Sequence, residues 1–390
     1  MTIAHKLLPE FAPERTALTK VRRLIVKVGT SLLTGGGTHL DRRYLLRLAQ
    51  AVGHQWSQGR QVAVVSSGAI GAGCGVLGYS KKPVSLPERQ ACAAAGQVEL
   101  MKIYQQAFRR LREHDAPRCV GQMLLTRDGL ENRQRYLNTR NTLEALFARR
   151  AVPIINENDT VAVDEIRFGD NDTLSALVTV AVEAELLVIL SDVEGLMDAP
   201  PREQPNAKLV RHVPAITPEI EAWASSVGSA LGTGGMVSKL EAARIVTGSG
   251  EAMVLVGGHD PAVLHQVLEG RNVGTYFQPR GDRLAARKRW LAYTQRPHGT
   301  IHVDAGAREA LLKHRRSLLP SGIRSAEGHF DSGDLVNLAG PDGRAFARGL
   351  SNYTRAEIER IRGKKTAQLA KDLGPAFFQE VIHRDNLVML

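Results

Sequence analysis

The chain has 390 residues, 43% of them hydrophobic and 23% charged, a balance that excludes collagen-like, mucin-like and wholly disordered readings and a length that allows two or three domains with cores of their own. Lys and Arg outnumber Asp and Glu by 51 to 40, a formal net charge of +11, which favours anionic partners: nucleic acid, a membrane surface, or phosphorylated and carboxylate substrates. Cys74, Cys92 and Cys119 form neither a C-x-x-C pair nor a zinc spacing, so they read as free thiols in a reducing compartment.

The first segment, MTIAHKLLPEFAPERTALTK, is broken by Pro9 and Pro13 and has no long apolar stretch. It reads as a loose tail over residues 1–20 without a role, not as a signal peptide. No apolar run in the chain approaches the ~20 residues that span a bilayer, so a cytoplasmic location is expected. From residue 21 the pattern predicts strands over Leu24–Val28, Val62–Ser66, Val120–Leu125, Val152–Asn156, Leu186–Ser191 and Ala252–Gly257. Several are continuously apolar, as strands covered on both faces are. Between them lie helical patterns over Asp41–Ser57, Leu86–His114, Arg133–Arg150, Thr173–Ala184, Met236–Gly248 and Pro261–Glu269. In the first of these Asp41 is an N-cap residue, and Leu45, Leu48, Ala49 and Val52 form one apolar stripe. The alternation predicts an α/β domain over 21–280, a mostly parallel sheet sandwiched by helices.

The pattern changes near residue 280. RGDRLAARKRW, Arg280 to Trp290, is a dense basic cluster inside a linker over 281–298. Glycine-punctuated short strands follow, so residues 299–378 read as a small β-rich domain and 379–390 as a C-terminal tail. The aromatic residues of this part, Phe330, Phe346, Tyr353, Phe377 and Phe378, form no evident platform for bases. Its excess of basic residues is mild. RNA binding as the main function is therefore the weaker reading.

Several nucleotide motifs are absent. There is no G-x-x-x-x-G-K-[ST], and Gly363-Lys364-Lys365-Thr366 lacks its first glycine. A G-x-G-x-x-G at Gly73, Gly75 and Gly78 starts too far beyond its strand for a dinucleotide turn, and reads as tight helix packing or a flexible loop. No G-x-S-x-G or H-E-x-x-H occurs. What remains is a set of glycine- and hydroxyl-rich loops at predicted strand ends, where open α/β sheets bind ligands. They are VKVGTSLLTGGG with Lys27, VVSSGAIGAG with Ser66 and Ser67, INENDTVAVDEIRFGDNDTLSAL with Asp159, Asp170, Asn171 and Asp172, LLVILSDVEGLM with Ser191 and Asp192, and GTGGMVSKL with Lys239. Small residues let backbone N–H groups approach phosphate oxygens, and the last loop feeds a helix N-terminus. Each loop alone is a common turn; five on one sheet point to one anion site.

The runs VKVGTS, SSGAIGAG, GQMLLT, INENDTV, GDNDTLSAL, SDVEGL and GTGGMVSK, in this order, resemble the amino acid kinase superfamily, and within it the branch that acts on free glutamate. The C-terminal part is similar to a PUA domain, a small β-barrel. The resemblance implies an enzyme that uses ATP and Mg²⁺ to phosphorylate the side-chain carboxylate of L-glutamate, giving L-glutamyl 5-phosphate, the first step of proline biosynthesis. Feedback inhibition by proline and a dimeric or tetrameric state are implied with it. An ionised carboxylate needs no general base, so such catalysis rests on positioning and positive charge.

By the same resemblance Lys27 and Lys239 neutralise the transferring phosphoryl group and Asp172 organises both. Ser67, Asp159 and Asn171 match substrate positions. Lys27, Ser191, Asp192 and the run Thr233, Gly234, Gly235, Met236, Val237, Ser238 and Lys239 match nucleotide positions. Ser191 stands where threonine is common, Val237 where a small or polar residue is, and Arg167 where lysine is. Another amino acid kinase, acting on N-acetylglutamate, aspartate or a nucleoside monophosphate, is the nearest alternative. Asp159 discriminates, because an acetylated amine has no charge for it to pair.

Overall fold

The computed structural model describes residues 9–126, 129–130, 133–161, 171–199, 204, 206–225, 235–280, 297–314, 316–364 and 379–390. The chain divides into two compact units, Met1–Arg283 and Leu284–Leu390.

The first unit alternates strands and helices in the predicted order. β1 (Arg23–Val28), α1 (Thr30–Thr34), α2 (Arg42–Ser57), β2 (Gln61–Ser66), α3 (Ala69–Val76), α4 (Leu86–Arg109), β3 (Cys119–Leu125), α5 (Arg133–Ala148) and β4 (Ala151–Glu157) make its first half. α6 (Asn171–Ala181), β5 (Leu186–Ser191), β6 (His212–Val213), α7 (Pro218–Ser225), α8 (Met236–Gly248), β7 (Ala252–Gly257), α9 (Val263–Leu268) and β8 (Thr275–Phe277) complete it. The strands form one sheet in the order β3-β4-β2-β1-β5-β7-β8-β6. All neighbours are parallel except β7 and β8. The six predicted strands are present, and the two short strands β6 and β8 are additions at one edge.

The central strands are buried on both faces, with Leu24, Ile25, Val26 and Val28 of β1 and Leu186 to Leu190 of β5 fully covered. Each such side chain contributes about 1.5–3 kcal/mol relative to exposure. Helices α2, α3 and α4 pack on one another, as do α6, α7 and α8. Asp41 caps α2 as expected, its carboxylate accepting from the backbone N–H of Arg43 and Tyr44 at 2.8 and 3.0 Å. Helix α4 stops at Arg109, short of the predicted His114.

From β1 the chain builds the sheet outward through β2, then returns to the other side of β1 with β5. The β1/β5 boundary is a topological switch point, the place where open α/β sheets bind ligands. Register brings the carboxyl ends together there: Val28 pairs with Ser66 on β2 and with Leu190 on β5.

Two predicted boundaries need correction. The segment before β1 is not loose from residue 9 on. Phe11 bridges Arg271, a 3-10 helix runs over Pro13–Lys20, and Arg15 and Leu18 are buried. Residues 379–390 are not a tail either. In the second unit, β9 (Gly299–Val303), α10 (Ala305–His314), β10 (Ile323–Gly328), β11 (Leu335–Ala339), β12 (Ala345–Leu350) and α11 (Arg355–Ile361) lead to β13 (Leu387–Met389). Its sheet runs β10-β9-β11-β12-β13, so residues 387–389 supply the edge strand. Val381, Ile382 and Leu387 share a core with Ile301, Val336 and Ile358. Of the expected linker, residues 281–296 lie outside the described residues.

Candidate active site

Three predicted residues meet at the switch point. Lys27, next to last in β1, places Nζ 2.5 Å from Asp172 Oδ1. Lys239, in the first turns of α8, places Nζ 3.1 Å from Asp172 Oδ2. Asp172 sits in the first turn of α6 and is fully buried, and both lysines are only 7% exposed. Ser238 Oγ donates to the same Oδ2 at 3.0 Å. Burial alone would raise the Asp172 carboxyl's pKa, but the two ammonium groups prevail and hold it well below the usual carboxylate range. Asp172 is thus permanently charged, with a lysine on each oxygen. It is placed to orient cations, not to take a proton. The cluster carries one net positive charge, which suits it to a polyanion.

A second group adjoins the first through the neighbouring residue, Asn171. Asn171 Nδ2 donates to Ser67 Oγ at 2.9 Å, to Asn156 Oδ1 at 3.0 Å and to the Ser66 carbonyl at 3.3 Å. Asn171 Oδ1 is buried and has no donor among the described residues. The amide therefore has an acceptor left, and Ser67, which accepts from it, donates its O–H to no described residue. Ser67 itself lies between β2 and α3. Gly68 follows with φ +97°, where a side chain would be strained and its Cβ would press on Leu33 at 3.3 Å. Ser66 Oγ is tied to Tyr104 of α4 at 2.9 Å. Asp159, on the loop after β4, is half-buried. Burial pushes its carboxyl up to about 6, against the pull of Lys82 and Arg89.

Ser191 ends β5, is buried, and donates to Asp192 Oδ1 at 3.1 Å. Beyond it Val193, Gly195, Leu196 and Met197 join Trp223 of α7 and Met236 of α8 around an apolar cavity of about 190 Å³. Gly235 is the N-cap of α8. Val237 is 58% exposed, so its size does not enter the packing. Arg167, Asp170, Thr233 and Gly234 lie outside the described residues. The G-x-G-x-x-G is helix packing: a Cβ on Gly73 would lie 1.7 Å from the Cys92 carbonyl oxygen.

Asn156, Tyr104 and Trp223 were given no role by the sequence. Asn156 stands inside the INEND run and could have been suspected. Tyr104 and Trp223 are single aromatic residues in helical stretches and carry no such signal.

Comparison with known proteins bears on the family of the chain. Residues 22–257 match the model of the amino acid kinase family, and residues 299–373 that of the PUA domain. A glutamate 5-kinase of Geobacter sp. (strain M21) is 48% identical over 373 residues, covering 96% of this chain and 99% of the relative.

The chain belongs to the amino acid kinase family.

A glutamate 5-kinase of Myxococcus xanthus is 47% identical over 377 residues, covering 96% of this chain and 98% of its own. Among solved structures, carbamate kinase from Giardia lamblia bound to AMP-PNP aligns at 17% identity and a TM-score of 0.47, over 67% of this chain and all of that one. In this amino acid kinase no helix among the described residues is long and apolar enough to cross a membrane.

Proposed function

We propose that the chain transfers the γ-phosphoryl group of ATP to the side-chain carboxylate of L-glutamate, giving L-glutamyl 5-phosphate and ADP. The observation that carries this is the Lys27–Asp172–Lys239 cluster beside Ser67 and Asn171, in a member of the amino acid kinase family. A carboxylate oxygen attacks the γ-phosphorus as the bond to the β,γ-bridging oxygen breaks, and the electron pair leaves on ADP. No proton moves, so no base is needed. The difficulty is an anion approaching a polyanion. Lys27 meets the γ-phosphoryl and the attacking oxygen, Lys239 the developing charge on the leaving side, and Asp172 holds both ammonium groups in place before charge develops.

The apolar cavity beyond Ser191 receives the adenine, leaving the phosphates at Gly235–Lys239. Mg²⁺ would come with ATP and would neutralise phosphate charge; Asp172, paired with two lysines, would not be free to hold it. In the glutamate pocket, Ser67 O–H serves a carboxylate, and Asp159 with Asn171 Oδ1 serves the free ammonium. An acceptor and an acid there favour glutamate over an N-acetylated analogue. Proline, which resembles cyclised glutamate, competes in this pocket. Equal initial rates with and without millimolar proline at subsaturating glutamate would remove that part. The enzyme works in the cytoplasm as a homo-oligomer built through the first unit, whose α3–α4 region exposes Val76, Leu77, Val84 and Val98. Sedimentation as a monomer at micromolar concentration would contradict this.

The deciding experiment is ATP turnover with Mg²⁺ against L-glutamate, N-acetyl-L-glutamate, L-aspartate and UMP, with hydroxylamine to trap an acyl phosphate. Glutamate-dependent ADP release with hydroxamate is expected. Activity only with another acceptor would discard the roles of Ser67, Asp159 and Asn171.

A further inference from the structure

The residues ahead of β1 are tied to a specific part of the first unit. Asn272 N donates to the Glu10 carbonyl at 2.8 Å, and Ala12 N to that of Gly270 at 2.9 Å. Arg15, on the 3-10 helix, is 0% exposed. Its Nη1 donates to the carbonyls of Arg271, at 2.9 Å, and Val273. Its Nη2 donates to those of Arg211 at 2.7 Å and Gly274 at 3.2 Å. The Tyr276 ring lies 5.8 Å from the guanidinium carbon. Burial lowers the guanidinium pKa to about 10, which leaves it charged at neutral pH. A buried cation held by backbone carbonyls with no carboxylate among its described hydrogen bonds is a costly arrangement, and it joins the segment ahead of β1 to the approaches of β6 and β8.

Two of those carbonyls adjoin the residues that hold the cavity wall. Gly274 precedes Thr275, whose Oγ1 donates to the Val210 carbonyl at 2.6 Å and accepts from Leu196 N at 2.8 Å. Arg211 follows Val210, whose N donates to the Leu196 carbonyl at 2.8 Å. Gly195 is so close that a Cβ there would meet Thr275 Oγ1 at 2.6 Å. Gly195 and Leu196 line the apolar cavity.

We propose that Arg15 is a positioning residue for the nucleotide: through the carbonyls of Arg211 and Gly274 it fixes Val210 and Thr275, and these fix the Gly195–Leu196 wall of the cavity. The proposal rests on the placement of adenine in that cavity. Arg15 touches no substrate, so it acts on ATP affinity and leaves the chemical step and the glutamate pocket alone.

The test is steady-state kinetics of the full chain, with ATP and glutamate varied separately. Arg15→Lys keeps the charge and the stem, but one ammonium cannot span four carbonyls. It is expected to raise the KM for ATP about 5–20-fold, with kcat and the KM for glutamate within about twofold. Thr275→Val is expected to do the same, and the double variant to fall short of the summed effects, because both act on one wall. Arg15→Met is the stronger form; if it does not fold, the lysine variant decides. Trp223→Ala, which opens the cavity directly, runs in the same assay. An unchanged KM for ATP in Trp223→Ala would remove adenine from the cavity, and the Arg15 proposal with it. A raised KM in Trp223→Ala with none in the Arg15 variants would overturn the Arg15 proposal alone. So would a lowered melting temperature with no split between the two KM values, the sign of a merely structural anchor.

Discussion

In the proposed transfer, Lys27, Asp172 and Lys239 prepare charge before the reaction. Because Asp172 has a lysine on each oxygen, neither ammonium must be drawn out of water when the phosphoryl moves. Lys239→Ala is expected to lower kcat by about 10²–10³, or about 2.7–4 kcal/mol, while the melting curve of the full chain stays cooperative; a loss within threefold would exclude it from the transfer. Asp159 carries a pH prediction. Its carboxyl, pushed up to about 6, is neutral below that pH and charged above it, and in the proposed pocket only the charged form would pair with the substrate ammonium. The kcat/KM for glutamate should therefore fall as pH drops from 7 to 5, while the substrate's own carboxyl, near 4.3, stays ionised. The acid limb should vanish in Asp159→Asn, and a flat wild-type profile would contradict the assignment. These residues were legible as a set because their motifs resemble a family. Nothing in their spacing shows that Lys27, Asp172 and Lys239 touch. That follows from strand register and from two helix starts converging on one strand end.

Elements were legible where their pattern was long. Six strands and six helices stand close to their predicted places because continuous apolar runs and helical stripes mark them. The strands β6 and β8 have two and three residues, too few to show a period. Helix α3 hides for another reason: three of the eight residues in AIGAGCGV are glycine, so propensity argues against a helix and tertiary packing overrides it. Gly73 of α3 and Gly96 of α4 let the two helices cross backbone to backbone. A Cβ on Gly96 would lie 1.8 Å from the Ala69 carbonyl oxygen, and backbone cannot swing aside as a side chain can. Gly96→Ala is expected to cost about 3 kcal/mol in urea denaturation. It should also raise the KM for glutamate, since α3 begins just after Ser67. An unchanged midpoint and KM would show that the crossing yields.

At the scale of the molecule, both chain ends were misread as tails because short polar-rich stretches carry no periodic signal, whatever they pack against. Deleting residues 379–390 would strip Val381, Ile382, Leu387 and Val388, exposed by 0, 0, 4 and 2%, from the second unit. At about 1.5–3 kcal/mol each, the loss rivals the whole stability of a small domain, about 5–15 kcal/mol. Limited proteolysis of the truncated chain should cut within residues 299–364 and spare the first unit; resistance there would mean the core closes without them. The position of β13, more than 100 residues after β8 in chain order, also sets an order of events during synthesis. The kinase unit can complete its sheet while translation continues, since its last strand, β8, ends at Phe277. The second unit must wait, its sheet open at β12, until β13 has been made as well. A chain cut short ahead of β13 therefore carries a complete first sheet and an open second one.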